Sequence, residues 1–284
     1  MTILGVTCRP EVPPERLKEV VRAAEDGGLD ELWLWEDCFW GGAASAAAAA
    51  LAWTSRLRVG IGVLPVPLRN VALTAMETAM LHRLFPGRVT VGVGHGVQSW
   101  MEQVGARAES PLTLLREYLD ALRALLRGER LTVHGRYVHL DDVALGWPPA
   151  TAPAILAAAT GPRTLRLSGE LADGTVLDSS TTPGQLRSAR EAIDAGRAAA
   201  GRADPHPVVL YLRAATAPGP ADRESYQPES AAVAGDAAAV AAAVRFWAGA
   251  GADAVILHPP AGVPDPAAFV RFIAEKVRPL LDSA

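Results

Sequence analysis

Two short stretches set proton-handling side chains beside glycine: Glu36-Asp37-Cys38, and Gly92-Val93-Gly94-His95-Gly96. A carboxyl group with an ordinary pKa of about 4 and an imidazole at about 6.5 can exchange a proton near neutrality, and the imidazole is the better matched. A thiol at about 8.5 is a poor general base there. His95 stands between Gly94 and Gly96 at the end of a strand-like run, where a ligand can approach the backbone, so it is the first candidate for a group touching ligand or substrate. The competing reading is a histidine that only packs. Asp37 is the second candidate, with Glu36 and His258 beside it; His258 ends a strand before Pro259-Pro260. The six histidines show no H-E-x-x-H or comparable spacing, and no metal site is expected.

A different chemistry is offered by Thr160-Gly161-Pro162-Arg163, which follows an apolar run and opens a helix. Thr160 is placed to cap that helix and Pro162 suits its first turn. Free N–H groups at a helix start make a seat for phosphate, with Arg163 or Arg166 adding charge. The plain alternative is an ordinary capped helix with a solvated arginine. Gly60 and Gly62 interrupt the β-branched run L-R-V-G-I-G-V-L-P-V-P at 57–67, and R-V-T-V-G-V-G-H-G at 88–96 repeats the pattern. Glycine where a strand should be most regular suggests that something other than a side chain, a ligand, approaches the backbone there. The alternative is that these glycines relieve crowding inside a barrel.

The elements that must position these groups alternate regularly. Strands are expected over 3–8, 31–35, 57–64, 89–93, 154–159, 175–177, 208–212 and 254–257, and helices over 13–26, 41–53, 71–85, 111–127, 162–171, 184–199, 237–248 and 266–281. Leu115, Leu119, Leu122 and Leu126 form one stripe of the fourth helix, 111–127. The rhythm breaks once, where alternation at period two around His134-Gly135 marks a hairpin inserted at about 129–146, between the fourth and fifth units. Residues 214–235, rich in Pro, Gly, Ser and charge, are a candidate lid, with an ordinary surface loop as the alternative. Eight strand-plus-helix units in one domain over 1–284 make a (β/α)₈ TIM barrel, an α/β fold whose chemistry belongs at the C-terminal ends of the strands. A doubly wound sheet is the weaker alternative, because no G-x-G-x-x-G follows the first strand.

Composition bounds the function. With 284 residues, 50% of them hydrophobic, the chain has ample material for a core. A formal charge of -4 leaves no basic surplus for a nucleic-acid backbone. No signal-like segment opens the chain and the longest apolar tract, 41–53, is too short for a membrane span, so a cytoplasmic protein is expected. Cys8 and Cys38 are expected as separate reduced thiols, with a redox pair as the alternative. Trp35, Phe39, Trp40 and Trp100 are expected to wall an apolar pocket, with Trp33 in the core.

Residues 31–39, 59–70 and 88–96, Gly135-Arg136-Tyr137, Gly161-Pro162-Arg163 and Gly169-Glu170-Leu171-Ala172-Asp173-Gly174 together resemble, in order and over nearly the whole chain, the luciferase-like flavin and deazaflavin-dependent oxidoreductases. The resemblance implies a (β/α)₈ barrel that binds coenzyme F420 or FMN. It implies a non-prolyl cis peptide at Gly62-Val63 beneath the cofactor ring and a phosphate seat at Thr160, Gly161, Pro162 and Arg163, with Asp37, Gly94, His95 and Gly96 also at the cofactor. Asp37, His95 and Cys38 become the candidate catalytic groups. Cys38 stands where relatives that oxidise a sugar phosphate or an alcohol carry a histidine base, and Val97 where they carry a glutamate, so the resemblance argues against sugar-phosphate oxidation. Hydride transfer between F420, or FMN, and a small organic substrate is the leading expectation. An FMN-dependent two-component monooxygenase, a cofactor-binding protein without turnover and a non-redox barrel are the rivals. A homodimer is a further expectation.

Overall fold

The computed structural model describes residues 2–216 and 231–282. Eight parallel strands close on themselves: β1 (Ile3–Cys8), β2 (Glu31–Leu34), β3 (Arg58–Pro65), β4 (Val89–Gly94), β7 (Ile155–Ala158), β8 (Gly174–Leu177), β9 (Val208–Ala215) and β11 (Ala254–His258). Neighbours pair in chain order, β8 pairs with β9, and β11 returns to β1 with Ile3 opposite Ala254. The fold is therefore the expected TIM barrel. β5 (Leu131–His134) and β6 (His139–Val143) form the antiparallel hairpin between the fourth and fifth units.

Two layers of core follow from strand parity. Outward-facing residues such as Leu32, Leu34, Val59 and Ile61 pack in one large cluster with helices α1 (Leu17–Asp26), α2 (Ala43–Ala52), α3 (Val71–Leu84) and those that follow. The expected stripe Leu115, Leu119, Leu122 and Leu126 is buried on α5 (Pro111–Leu126), which comes after the short α4 (Gln98–Gln103). A smaller inner cluster of Trp33, Leu156, Val176, Val209, Tyr211, Ala254 and Ile256 fills the barrel itself. Trp33 is thus core, as expected.

The inner cluster explains the glycines, and not as first read. A β-carbon on Gly60 would stand 2.3 Å from the Trp33 ring, and one on Gly62 would stand 2.0 Å from the Tyr211 hydroxyl. On β4, β-carbons at Gly92 and Gly94 would meet the two methyls of Val63 at 2.7 and 2.8 Å. Side chains, not a ligand, occupy the space these four residues leave.

Other elements differ in extent. A short helix, α4, lies around Trp100, between the expected fourth strand and fourth helix. The final helix is α-helical over Pro266–Phe272, widens to a π turn over Ile273–Val277 and resumes over Arg278–Asp282. Of the candidate lid at 214–235, residues 217–230 lie outside the described residues. Its flanks are ordered strand: β9 runs to Ala215, and β10 (Ala232–Ala234) pairs alongside it. Among the described residues no helix is long and apolar enough to cross a membrane.

Near the N-terminal ends of the strands, buried His206 bonds through Nε2 to Thr175 Oγ1 at 2.8 Å, which meets Ser168 Oγ at 2.7 Å. Burial lowers the His206 pKa to about 4, helped by Arg197, Arg202 and Arg190, and burial brings His258 to about 4 as well. Both rings are neutral in the fold, whereas an exposed histidine in the unfolded chain titrates near 6.5. The unfolded chain then binds more protons between those values, so stability is full above about pH 6.5 and falls as pH drops towards about 4. Urea unfolding from pH 7 to pH 4.5 should show this decline, and His206→Gln, which keeps a donor and acceptor for Thr175, should make it shallower.

Candidate active site

At the C-terminal ends of the strands lies a cavity of about 580 Å³. Gly62 and Val63 form part of its lining, at the point where β3 slips register against β4 between Ile61 and Leu64. The Gly62–Val63 bond is cis, as is Cys38–Phe39 in the loop after β2. Tyr211 Oη donates to the Gly62 carbonyl at 3.0 Å, and its ring meets Trp33 and Trp35 edge to face. Val63 fills the sockets of Gly92 and Gly94, so Gly94 supports the floor from beneath and does not line the cavity.

The loop after β2 supplies Glu36, Asp37 and Cys38 to the lining. Glu36 is buried and committed: it accepts from the Ala43 amide at 2.9 Å, anchoring the start of α2, and from Arg69 at 2.8 Å. Arg69 also binds Glu77 and Thr74. Glu36 is therefore a structural acid and not a free proton carrier. Burial raises the Asp37 pKa, with Glu11 adding and Arg9 opposing. Burial likewise raises Cys38, with Glu36 and Asp37 adding, so the thiol stays protonated near neutrality.

His95 completes this set from the end of β4. Its Nε2 lies 3.4 Å from Thr164 Oγ1, while its Nδ1 is buried with no hydrogen-bond partner. Burial lowers its pKa, partly offset by the Pro111 carbonyl, which favours the neutral ring at pH 7. Gly96 lines the cavity beside it with φ of 66°, a left-handed conformation that suits glycine. Val97 is also in the lining, at the position where the resemblance implies a lost glutamate.

The helix start at which a phosphate seat is expected is built differently from the expected cap. Gly161, not Thr160, is the N-cap of α6 (Pro162–Leu171), and no side chain caps it. Thr160 instead lines the cavity. Leu165 makes the first bond back to Gly161, leaving the Arg163 and Thr164 amides in the turn that lacks intrahelical acceptors. Gly161, Pro162 and Arg163 lie next to the lining and outside it; Arg163 is exposed, while Arg166 pairs with Glu170. This helix start lies at the rim of the cavity.

Trp35 and Trp100 line the cavity, but Phe39 and Trp40 are exposed to solvent and do not. His258 also falls outside the lining, with Nδ1 3.1 Å from the Pro259 carbonyl and its ring against Trp35. Cys8 and Cys38 are both free thiols, Cys8 buried with its pKa pushed up to about 12. Among the described residues no group of three or more His, Cys, Asp or Glu side chains is arranged to hold a metal ion. Sequence reasoning missed Tyr211, Asp178 and Ser179 in the lining. The last two directly follow β8, where barrel strands place functional residues, and that rule was the available signal.

The family model for luciferase-like monooxygenases matches residues 4–268. The 5,10-methylenetetrahydromethanopterin reductase of Methanolobus tindarius is 30% identical over 204 residues, 72% of this chain and 62% of the relative. The phthiodiolone/phenolphthiodiolone dimycocerosates ketoreductase of Mycobacterium tuberculosis is 35% identical over 152 residues, 52% of this chain and 40% of the relative. The matched region spans less than two thirds of either relative. Among solved structures, the coenzyme F420-dependent tetrahydromethanopterin reductase from Methanopyrus kandleri superposes with a TM-score of 0.85 at 20% identity, over 99% of both chains. An F420-dependent secondary alcohol dehydrogenase, solved with an F420-acetone adduct, gives 0.87 at 20% identity over 99% of both. These two structures share the fold.

Proposed function

The chain belongs to the luciferase-like monooxygenase family, and from that membership we propose an oxidoreductase that moves hydride between coenzyme F420, with FMN as the alternative, and a small organic substrate. The observation that carries this reading is the cavity at the barrel mouth, where an apolar floor at Gly62 and Val63 lies near an uncapped helix start. A planar ring fits the floor, and a phosphate on its tail fits the Arg163 and Thr164 amides with the Arg163 guanidinium. The partnerless Nδ1 of His95 is a further polar group suited to a ligand. When bound, such a cofactor would supply the ring atom that gives or takes hydride, a carbon in the deazaflavin and a nitrogen in FMN.

The chain's own residues do the rest. Trp35 and Trp100 wall the cavity and exclude water, which matters because hydride transfer needs close carbon-to-carbon approach, about 3–3.5 Å. Reducing a carbonyl also needs a proton on its oxygen. Asp37, with its pKa raised, exchanges that proton, and neutral His95 orients the oxygen by a hydrogen bond. Cys38 stays a thiol and acts only as a weak donor. The activities of the sequence relatives, a 5,10-methylenetetrahydromethanopterin reductase and a ketoreductase, support this assignment.

We also propose that the protein pairs as a homodimer through α3. Leu73, Met76, Met80 and Leu84 are 46%, 61%, 55% and 61% exposed and fall on one face at spacings of three, four and four. In residue type the stripe, Leu-Met-Met-Leu, reads the same in either direction, and its spacings do so to within one residue. Two copies crossing antiparallel near residue 78 would set Met76 against Met80 and Leu73 against Leu84, the self-complementarity that a two-fold contact requires. With exposed Leu68 and Trp147 at its margins, it leaves several hundred Å² of apolar surface, comparable with the roughly 800 Å² a standard interface takes from each partner.

Two measurements check these assignments. Titration with F420 and with FMN should give a visible spectral change for one of them, and Asp37→Asn should then lower turnover at least about 100-fold with the cofactor Kd little changed; binding of neither cofactor would sink the oxidoreductase reading. Sedimentation should show twice the 29.8 kDa chain mass, Met80→Asp should be monomeric, and Phe246→Asp, on an exposed site elsewhere, should stay dimeric. A wild-type monomer, or a dimer indifferent to Met80→Asp, would reject the α3 interface.

A further inference from the structure

We propose that Tyr211 is a positioning residue for the cofactor: its hydroxyl fixes the Gly62 carbonyl, and through it the height and tilt of the floor on which the ring rests. The proposal rests on the cofactor reading above and adds to it a residue that handles no proton and lies in a different strand from the floor.

Tyr211 reaches across the barrel from β9 to β3, its Oη donating to Gly62 O at 3.0 Å between residues 149 apart in sequence. The phenol cannot easily swing away. Its ring is braced edge to face by Trp33 at 6.0 Å and Trp35 at 5.3 Å. Burial raises its pKa, so the hydroxyl remains a donor at any working pH. The partner is equally constrained, because a β-carbon at residue 62 would lie 2.0 Å from Oη. Only glycine lets this contact form.

Val63 is held at the same time from the other side. Its two methyls occupy the spaces beside Gly92 and Gly94. The Gly62 carbonyl is thus turned towards Tyr211 and away from any ligand, leaving an apolar surface for a ring to lie on. Tyr211 itself reaches the cavity lining, but its polar atom is spent on the backbone. A hydroxyl that served only to satisfy a core carbonyl would affect stability and leave affinity alone. Losing the hydroxyl of a floor-setting residue must change both.

The experiment is a fluorescence titration of coenzyme F420, with FMN in parallel, into wild type, Tyr211→Phe, Gly62→Ala, the double variant and Ser168→Ala, each also melted without cofactor. Tyr211→Phe keeps the ring and should weaken cofactor binding about tenfold, the scale of one hydrogen bond to a buried group, with a shifted absorption maximum for the bound form. Gly62→Ala displaces the same hydroxyl with the phenol in place, although its β-carbon also presses on the Trp33 ring; the part of its loss that runs through the hydroxyl is absent in the double variant, so the two losses should be less than additive. Ser168→Ala removes a buried hydroxyl at the other end of the barrel and should lower the melting temperature without changing affinity. Unchanged affinity in Tyr211→Phe, strictly additive losses, or an equal loss in Ser168→Ala overturns the role of Tyr211 while leaving the cofactor reading standing. A wild type that binds neither cofactor overturns both.

Discussion

Two large aromatic side chains inside the barrel, Trp33 and Tyr211, set the terms for everything at its mouth. Each needs more room than a strand of ordinary residues allows, and β3 yields it at Gly60 and Gly62. Interiors of this density have few voids, so the space is found by deleting β-carbons and not by loosening the packing. The consequence appears one residue further on, where Val63 locks into β4 at Gly92 and Gly94. A floor assembled from backbone and one valine, fixed from both sides, is what an uncharged planar ligand can lie on. The constraint is packing, and the site is its result.

The ionisable groups around that floor are few and have separate duties. Glu36 is held by the start of α2 and by Arg69, which ties the β2 loop to α3 through Glu77. That commitment leaves Asp37, the next residue, as the carboxyl facing the cavity without such partners. His95 is linked to the first turn of α6 through Thr164, so the proton-handling side of the cavity and the phosphate side share a contact. Such a division, one acid structural and one available, matches a reaction whose main requirement is approach and dryness.

The barrel and its hairpin insertion were legible in the sequence because apolar period and turn residues alternate cleanly, and the hairpin is the one place where period two replaces that rhythm. The cavity could also be placed, since Asp37, Cys38, Gly62, Val63, His95, Gly96 and Thr160 all reach its lining. What occupied the glycines was not legible. A missing β-carbon looks the same in sequence whether a ring from Trp33 or a ligand fills the gap. Thr160 failed as a cap because the chain enters α6 one residue later, at Gly161. Trp40, expected as a pocket wall, is solvent-exposed and outside the lining, and the fold of an irregular loop has no sequence period from which to read that. Tyr211 was invisible for the opposite reason: an aromatic within β9 reads as core, and it is core, with its one polar atom doing additional service.

The proposed function depends on a flavin-type ring resting on Gly62–Val63 with its phosphate at the start of α6. A crystal of the protein soaked with coenzyme F420 should show ring density stacked over Val63 between Trp35 and His95, and phosphate density at the Arg163 and Thr164 amides. Density for the cofactor elsewhere on the molecule, or a cavity filled only by water at saturating cofactor, would contradict it.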